Sequence, residues 1–177
     1  MYIRHAILED LPIIMNIYTR ARFFMSAQGN PDQWGVRSWP PEELIRRDIQ
    51  ESNFYVCCES GDIQAVFYYV FGTDIEPTYA EIDHGSWVSD TPYGVIHRIA
   101  STGQRTGAGS FCILWAVRKC GHLRIDTHEN NRPMRSLLLK LGFSERGIIY
   151  VYEEKDPRVA YEIIMPQDNR IHDDFEC

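Results

Sequence analysis

The segment Gln104-Arg105-Thr106-Gly107-Ala108-Gly109-Ser110 lies between a β-rich run, Tyr93 to Ser101, and an apolar run, Ser110 to about Cys120, that suits a mostly buried helix. A strand, a glycine-containing turn and a buried helix in that order form the first part of a crossover, which parallel neighbouring strands require. The next β-rich run, Leu123 to Thr127, is therefore expected beside Tyr93 to Ser101 and parallel to it, with right-handed passage.

The other elements follow from periodicity. Tyr2 to Ala6 reads as a short strand. Leu11, Ile14, Ile17, Tyr18, Ala21 and Phe24 recur at helical spacing up to about Met25. Ser26 to Pro40, with Gly29, Asn30, Pro31 and Gly35, reads as a long loop carrying Trp34 and Trp39, and Pro41 opens a second helix to about Glu51. Phe54 to Cys58 and Gln64 to Phe71 flank Glu59-Ser60-Gly61-Asp62, a hairpin signature. Met134, Leu137, Leu138 and Leu141 stripe a helix ending at Gly142, and Phe143 to Tyr152 and Arg158 to Met165 are the last strands. The fold class is α/β (α+β), with a mixed, mostly antiparallel sheet of six or seven strands and helices on both faces. One domain is expected over residues 1–166, with 167–177 a polar C-terminal tail.

At 177 residues the chain buries roughly two thirds of its unfolded surface. Its 44% apolar and 24% charged residues are ordinary for a globular domain. The opening Met1-Tyr2-Ile3-Arg4-His5 has no secretory-leader pattern and no apolar run approaches membrane-spanning length, so a cytoplasmic protein without membrane partners is expected. Five cysteines without framework spacing are expected as reduced thiols. A net charge of -7 disfavours nucleic acid and favours a cationic partner such as an amine. A homodimer is compatible with all of this.

The physics of the Gln104 to Ser110 segment is anion binding. Glycines let the backbone approach closely, N–H groups converge, and a helix N-terminus adds partial positive charge. A pyrophosphate is the natural guest. No Gly-Lys-Ser/Thr follows, which excludes a P-loop, and Cys112 stands where a dinucleotide fingerprint needs its third glycine. An ordinary glycine-rich turn is the remaining alternative. Gln104-x-x-Gly107-x-Gly109, together with Asn131-x-x-Met134-x-x-Leu137 leading into Leu141-Gly142-Phe143, resembles the paired motifs of the GNAT family of N-acetyltransferases. The opening Ile3-Arg4-His5-Ala6 with Glu9-Asp10-Leu11 is similar to that family's first strand and helix, so the resemblance extends to about Met165.

This resemblance implies the GNAT acyl-CoA N-acyltransferase fold and transfer of an acetyl group from acetyl-CoA to a primary amine of a small molecule or peptide. It implies main-chain contacts near Ile99 to the pantetheine arm, and pyrophosphate contacts from the amides of Gln104, Arg105, Thr106, Gly107, Ala108, Gly109 and Ser110, with Arg105 adding charge. Asn131 is implied as a pantetheine contact, and a helix N-cap is its equal alternative. A charged amine, with a pKa of about 10, needs a base, and the leaving thiolate needs an acid. The family's tyrosine acid, seven residues after the asparagine, is replaced here by Leu138. His97 and Tyr93, on the Ile99 face of an alternating strand, and His128, past the Leu123 strand, are the candidates for proton transfer. A packed histidine, a capping histidine and, for Tyr150, a core tyrosine are the structural alternatives.

Cys120, His122 and His128 lack paired ligand spacing, so no metal is expected. Trp34, Trp39 and Trp87 read either as walls of an acceptor pocket or as aromatic anchors, and Cys57 and Cys58 as core. The rival from another class is a non-catalytic acyl-CoA-binding sensor, which the absent tyrosine keeps open.

Overall fold

The expected parallel pair is present. In a computed structural model, which describes residues 1–29, 34, 38–151 and 156–165, Gly94 faces Leu123 and Val95 faces Arg124 in parallel register. The strands are β1 (Tyr2–His5), β2 (Phe54–Glu59), β3 (Asp62–Gly72), β4 (Tyr93–Ser101), β5 (His122–Thr127), β6 (Ser144–Val151) and β7 (Asp156–Ile164). The helices are α1 (Leu11–Ala27), α2 (Glu42–Gln50), α3 (Ala108–Cys120) and α4 (Arg132–Lys140), with short 3₁₀ turns at Leu8–Asp10 and Pro77–Tyr79. The sheet has seven strands in the order β1-β2-β3-β4-β5-β7-β6. It is mixed, because β1 with β2, β2 with β3, β5 with β7 and β6 with β7 are antiparallel while β4 with β5 is parallel.

Packing divides the chain into two compact units. The first comprises Met1–Tyr69 and His97–Cys112, the second Val70–Ile96 and Ile113–Cys177. In the first, the stripe Leu11, Ile14, Ile17 and Tyr18 of α1 and Ile45 and Ile49 of α2 bury against Phe54, Val56 and Val66. Arg4 grips Asp10 through two bonds, 2.7 and 3.0 Å, and the same carboxylate accepts the Ile7 N–H, joining β1 to the start of α1. The hairpin turn at Ser60 and Gly61 has both residues at positive φ, as a two-residue connection of this hand requires. Cys57, Cys58 and Cys112 are buried free thiols. Trp34 packs on the same core with its ring edge-on to Tyr18, 5.6 Å between centroids, which is the anchoring role.

The second unit is built on β5, β7 and β6. Helix α4 closes with Gly142 at φ 92°, where the Phe143 N–H donates to Leu138 O and the Gly142 N–H to Leu139 O, the two bonds of a left-handed helix stop. Trp87 also acts as an anchor, its Nε1 donating to Tyr79 O. Tyr150 corrects the sequence expectation of a core tyrosine. It is 38% exposed while its neighbour Ile149 is fully buried, because strand alternation on the last strand of the sheet turns one inward and the other out. The expected tail, 167–177, lies outside the described residues. No helix among the described residues is long and apolar enough to cross a membrane.

Candidate active site

Strand β4 leads into the glycine turn and α3 as the sequence pattern requires. The turn is exposed from Gly103 to Gly107, and Ala108 is the first buried residue beyond it. Gln104 donates its N–H to Thr102 Oγ1 at 3.2 Å, Ala108 donates to Arg105 O at 3.4 Å, and Phe111 donates to Gly107 O at 2.9 Å. The N–H groups of Arg105, Thr106, Gly107, Gly109 and Ser110 have no acceptor among the described residues. Five free donors around one helix start, beside a helix dipole, form a ready anion site.

Gly107 has φ 86°, a conformation glycine adopts without strain, and a Cβ built there would meet nothing within 4 Å. The space before the turn is therefore open to a ligand. Gly109 differs from expectation: it lies within α3 in ordinary helical backbone, so any demand for glycine there comes from ligand approach and not from dihedral freedom. Arg105 Nε sits 2.7 Å from the Glu59 carboxylate, with both side chains substantially exposed.

The proton-transfer candidates separate. His97, in the first unit, is half-buried with its ring stacked on Tyr68, 6.1 Å between centroids. Arg98 has φ 52°, which breaks the regular alternation of β4, so the period-two argument that puts His97 and Ile99 on one face does not run through this point. Tyr93, in the second unit, is buried beneath the Arg124 guanidinium, 4.0 Å from the ring centroid, and packs near Tyr79 and His122. His128 and Asn131 share the turn between β5 and α4. His128 Nδ1 accepts the Asn130 N–H at 3.1 Å, and Asn131 Oδ1 accepts the Met134 N–H at 3.3 Å as the N-cap of α4. Leu138 is fully buried. Among the described residues no group of three His, Cys, Asp or Glu side chains is disposed to hold a metal.

Solved structures share the fold. An acetyltransferase of the GNAT family from Streptococcus agalactiae superposes with a TM-score of 0.83 at 29% identity, covering 94% of this chain and 96% of its own. The chain has the fold of the GNAT acetyltransferases and resembles one of them over nearly its whole length. A candidate acetyltransferase from Staphylococcus aureus shares the fold at 23% identity and TM-score 0.67, with 94% of this chain and 100% of that one covered. The NatB acetyltransferase complex bound to CoA and MES shares it at 14% identity and TM-score 0.60, over 94% and 100% of the chains. No family model and no curated protein sequence matches this chain. The neighbour from Streptococcus agalactiae makes acyltransferase activity the general class.

Sequence reasoning passes over several residues that the fold makes prominent. Arg98 pairs with Asp48 at 2.6 Å, and burial pushes the Asp48 carboxyl up while Arg98 draws it back. Glu162, 1% exposed, accepts from His122, Arg124 and the Val88 N–H. A signal existed for each. Asp48 sits in the apolar stripe Ile45, Asp48, Ile49, and Arg98 and Glu162 interrupt runs of Ile, Ala and Val.

Proposed function

We propose that this protein transfers an acetyl group from acetyl-CoA to a primary amine of a small molecule or peptide, by direct attack when both are bound. The observation that carries the reading is the exposed Gly107 turn at the start of α3, where the N–H groups of Arg105, Thr106, Gly107, Gly109 and Ser110 take no acceptor among the described residues, in a chain with the fold of the GNAT acetyltransferases. In this reading the turn takes the pyrophosphate, with Gln104 to Ser110 supplying the amides. Arg105 adds its charge after leaving Glu59, which costs little, since exposed pairs contribute about 0 to 1 kcal/mol.

The backbone of β4 at Ile99 hydrogen-bonds the pantetheine arm. Holding thioester and amine together makes the attack effectively intramolecular. The amine nitrogen bonds to the carbonyl carbon, the C–S bond breaks, the amine proton passes to a base, and the thiolate leaves to be protonated. His97 is the residue offered as base, with Tyr93 and His128 behind it. Leu138 cannot be the acid, so another group or solvent protonates the thiolate.

The test is to incubate purified protein with acetyl-CoA and a panel of amines while following free thiol and CoA binding. Thiol release that depends on an amine supports the reading. Absence of CoA binding sinks it, and binding without release for any amine assigns the chain to the CoA-sensor class.

A further inference from the structure

Six non-glycine residues among those described have positive φ, and five lie in turns or loops; Arg98, at φ 52°, is the one inside a strand. A side chain makes this conformation unfavourable, so it persists in β4 because surrounding contacts over-determine it. Three contacts do so, and all lie within the first unit. The Tyr18 hydroxyl of α1 donates to the Arg98 carbonyl at 2.6 Å. Arg98 Nη2 donates to Asp48 of α2 at 2.6 Å, and the guanidinium carbon stands 4.4 Å from the centre of the Tyr68 ring of β3.

Tyr18 and Asp48 are both buried, so neither is drawn there by solvent exposure or chance surface pairing. Tyr18 satisfies a carbonyl that a regular ladder would bond to a neighbouring strand. Strained backbone locked from three elements, one residue before Ile99 and a few before the anion turn, points to a requirement at the strand itself.

We infer that Arg98 is a positioning residue, clasped by Tyr18, Asp48 and Tyr68, that sets the direction of the Ile99 and Ala100 backbone toward the pantetheine arm of an acyl-CoA. The inference rests on the acyl-CoA reading above and adds a residue set to it. The clasp acts on the strand and not on the turn, so it divides the ligand: ADP, which offers the pyrophosphate without pantetheine, samples the turn alone, whereas CoA samples both.

The experiment measures dissociation constants of CoA and ADP by calorimetry, with melting temperatures, for the full chain and for Tyr18→Phe and Asp48→Asn. Each variant is expected to weaken CoA by about three- to tenfold, the range of one net hydrogen bond, and to leave ADP unchanged. Tyr18→Phe deletes a single oxygen and carries the test alone if Asp48→Asn melts. Loss of CoA and ADP affinity in parallel, or no loss of either, overturns the clasp while leaving the acyl-CoA reading intact. A parent chain that binds CoA no more tightly than ADP also overturns it, and a parent that binds neither removes the acyl-CoA reading and the clasp with it.

Discussion

Arg124 lays its guanidinium carbon 4.0 Å from the centre of the Tyr93 ring, while its Nε donates to the buried Glu162 carboxylate at 3.1 Å. Trp87 covers the guanidinium as well, 4.2 Å from its carbon to the ring centroid. His122 Nε2 lies 2.9 Å from the same carboxylate, the Val88 N–H donates to it at 2.9 Å, and Arg146 Nε lies 3.2 Å away. The Glu162 carboxylate is the shared acceptor of this cluster, and removing it strands the groups around it.

Glu162→Ala is therefore expected to cost about 3 to 5 kcal/mol of stability, the range for breaking a buried pair. Burial pushes the Glu162 carboxyl up, but the donors from His122, the Val88 N–H and Arg124 outweigh it and hold it below the ordinary 4.5. A lowered folded value means the contribution is complete above the unfolded value and is lost as pH falls through the folded one. Melting of the parent should decline on the acid side of the carboxylate range, and the decline should be shallower in Glu162→Gln. Asp10, lowered mainly by its bond from Arg4, acts in the same direction in both proteins, so the difference between them isolates Glu162. Equal acid slopes would remove Glu162 from the account.

Gly107→Ala separates strain from obstruction. With φ at 86° and nothing within 4 Å of a Cβ, the cost is dihedral, about 1 kcal/mol of stability. CoA affinity should fall by about tenfold as the turn relaxes away from its open amides. Gly109→Ala, inside α3, should instead gain about 0.5 to 1 kcal/mol from helix propensity, whereas Gly109→Trp should block CoA. Parent-like CoA binding by both Gly107→Ala and Gly109→Trp in calorimetry rejects the turn as the pyrophosphate site.

Leu138 occupies the position where the family pattern has a tyrosine, and it is fully buried in α4. Leu138→Tyr should overpack the core at a cost of about 1 to 3 kcal/mol and should not raise turnover. Leu138→Ala should cost about 2 to 5 kcal/mol through the cavity it leaves. Increased turnover in a folded Leu138→Tyr protein would show that the position faces the chemistry after all.

His97→Ala tests the base. Removal of a general base is expected to lower turnover by at least about a hundredfold and to leave CoA affinity nearly unchanged. Because His97 is half-buried against Tyr68, a purely packing role predicts a lower melting temperature with both properties weakened together. Retained turnover in a folded variant rejects His97 and turns attention to His128, whose ring already serves its own turn through Nδ1.

Local physics made most of the scaffold legible. The Gln104 to Ser110 turn between a β-rich and an apolar run predicts the parallel β4–β5 pair, and Gly142 predicts the end of α4, because each is written in residues a few positions apart. The burial of Leu138 also follows from a stripe at helical spacing. The run Ile148-Ile149-Tyr150-Val151 looks uniformly apolar and so implies a core tyrosine at Tyr150, while exposure depends on which strand ends the sheet.

What only the tertiary structure decided is the backbone at Arg98 and the company of the buried charges. Nothing local in Ile96-His97-Arg98-Ile99 requires a positive φ; the residue is held there by Tyr18, 80 positions earlier, and by Asp48, 50 positions earlier. Glu162 likewise meets Val88, His122 and Arg124 from distant stretches of chain. Periodicity records the average direction of side chains along a regular element, and so it reads the sheet and helices. Strain and buried ion pairs are set by contacts between segments far apart in sequence, and these exist only once the chain has folded.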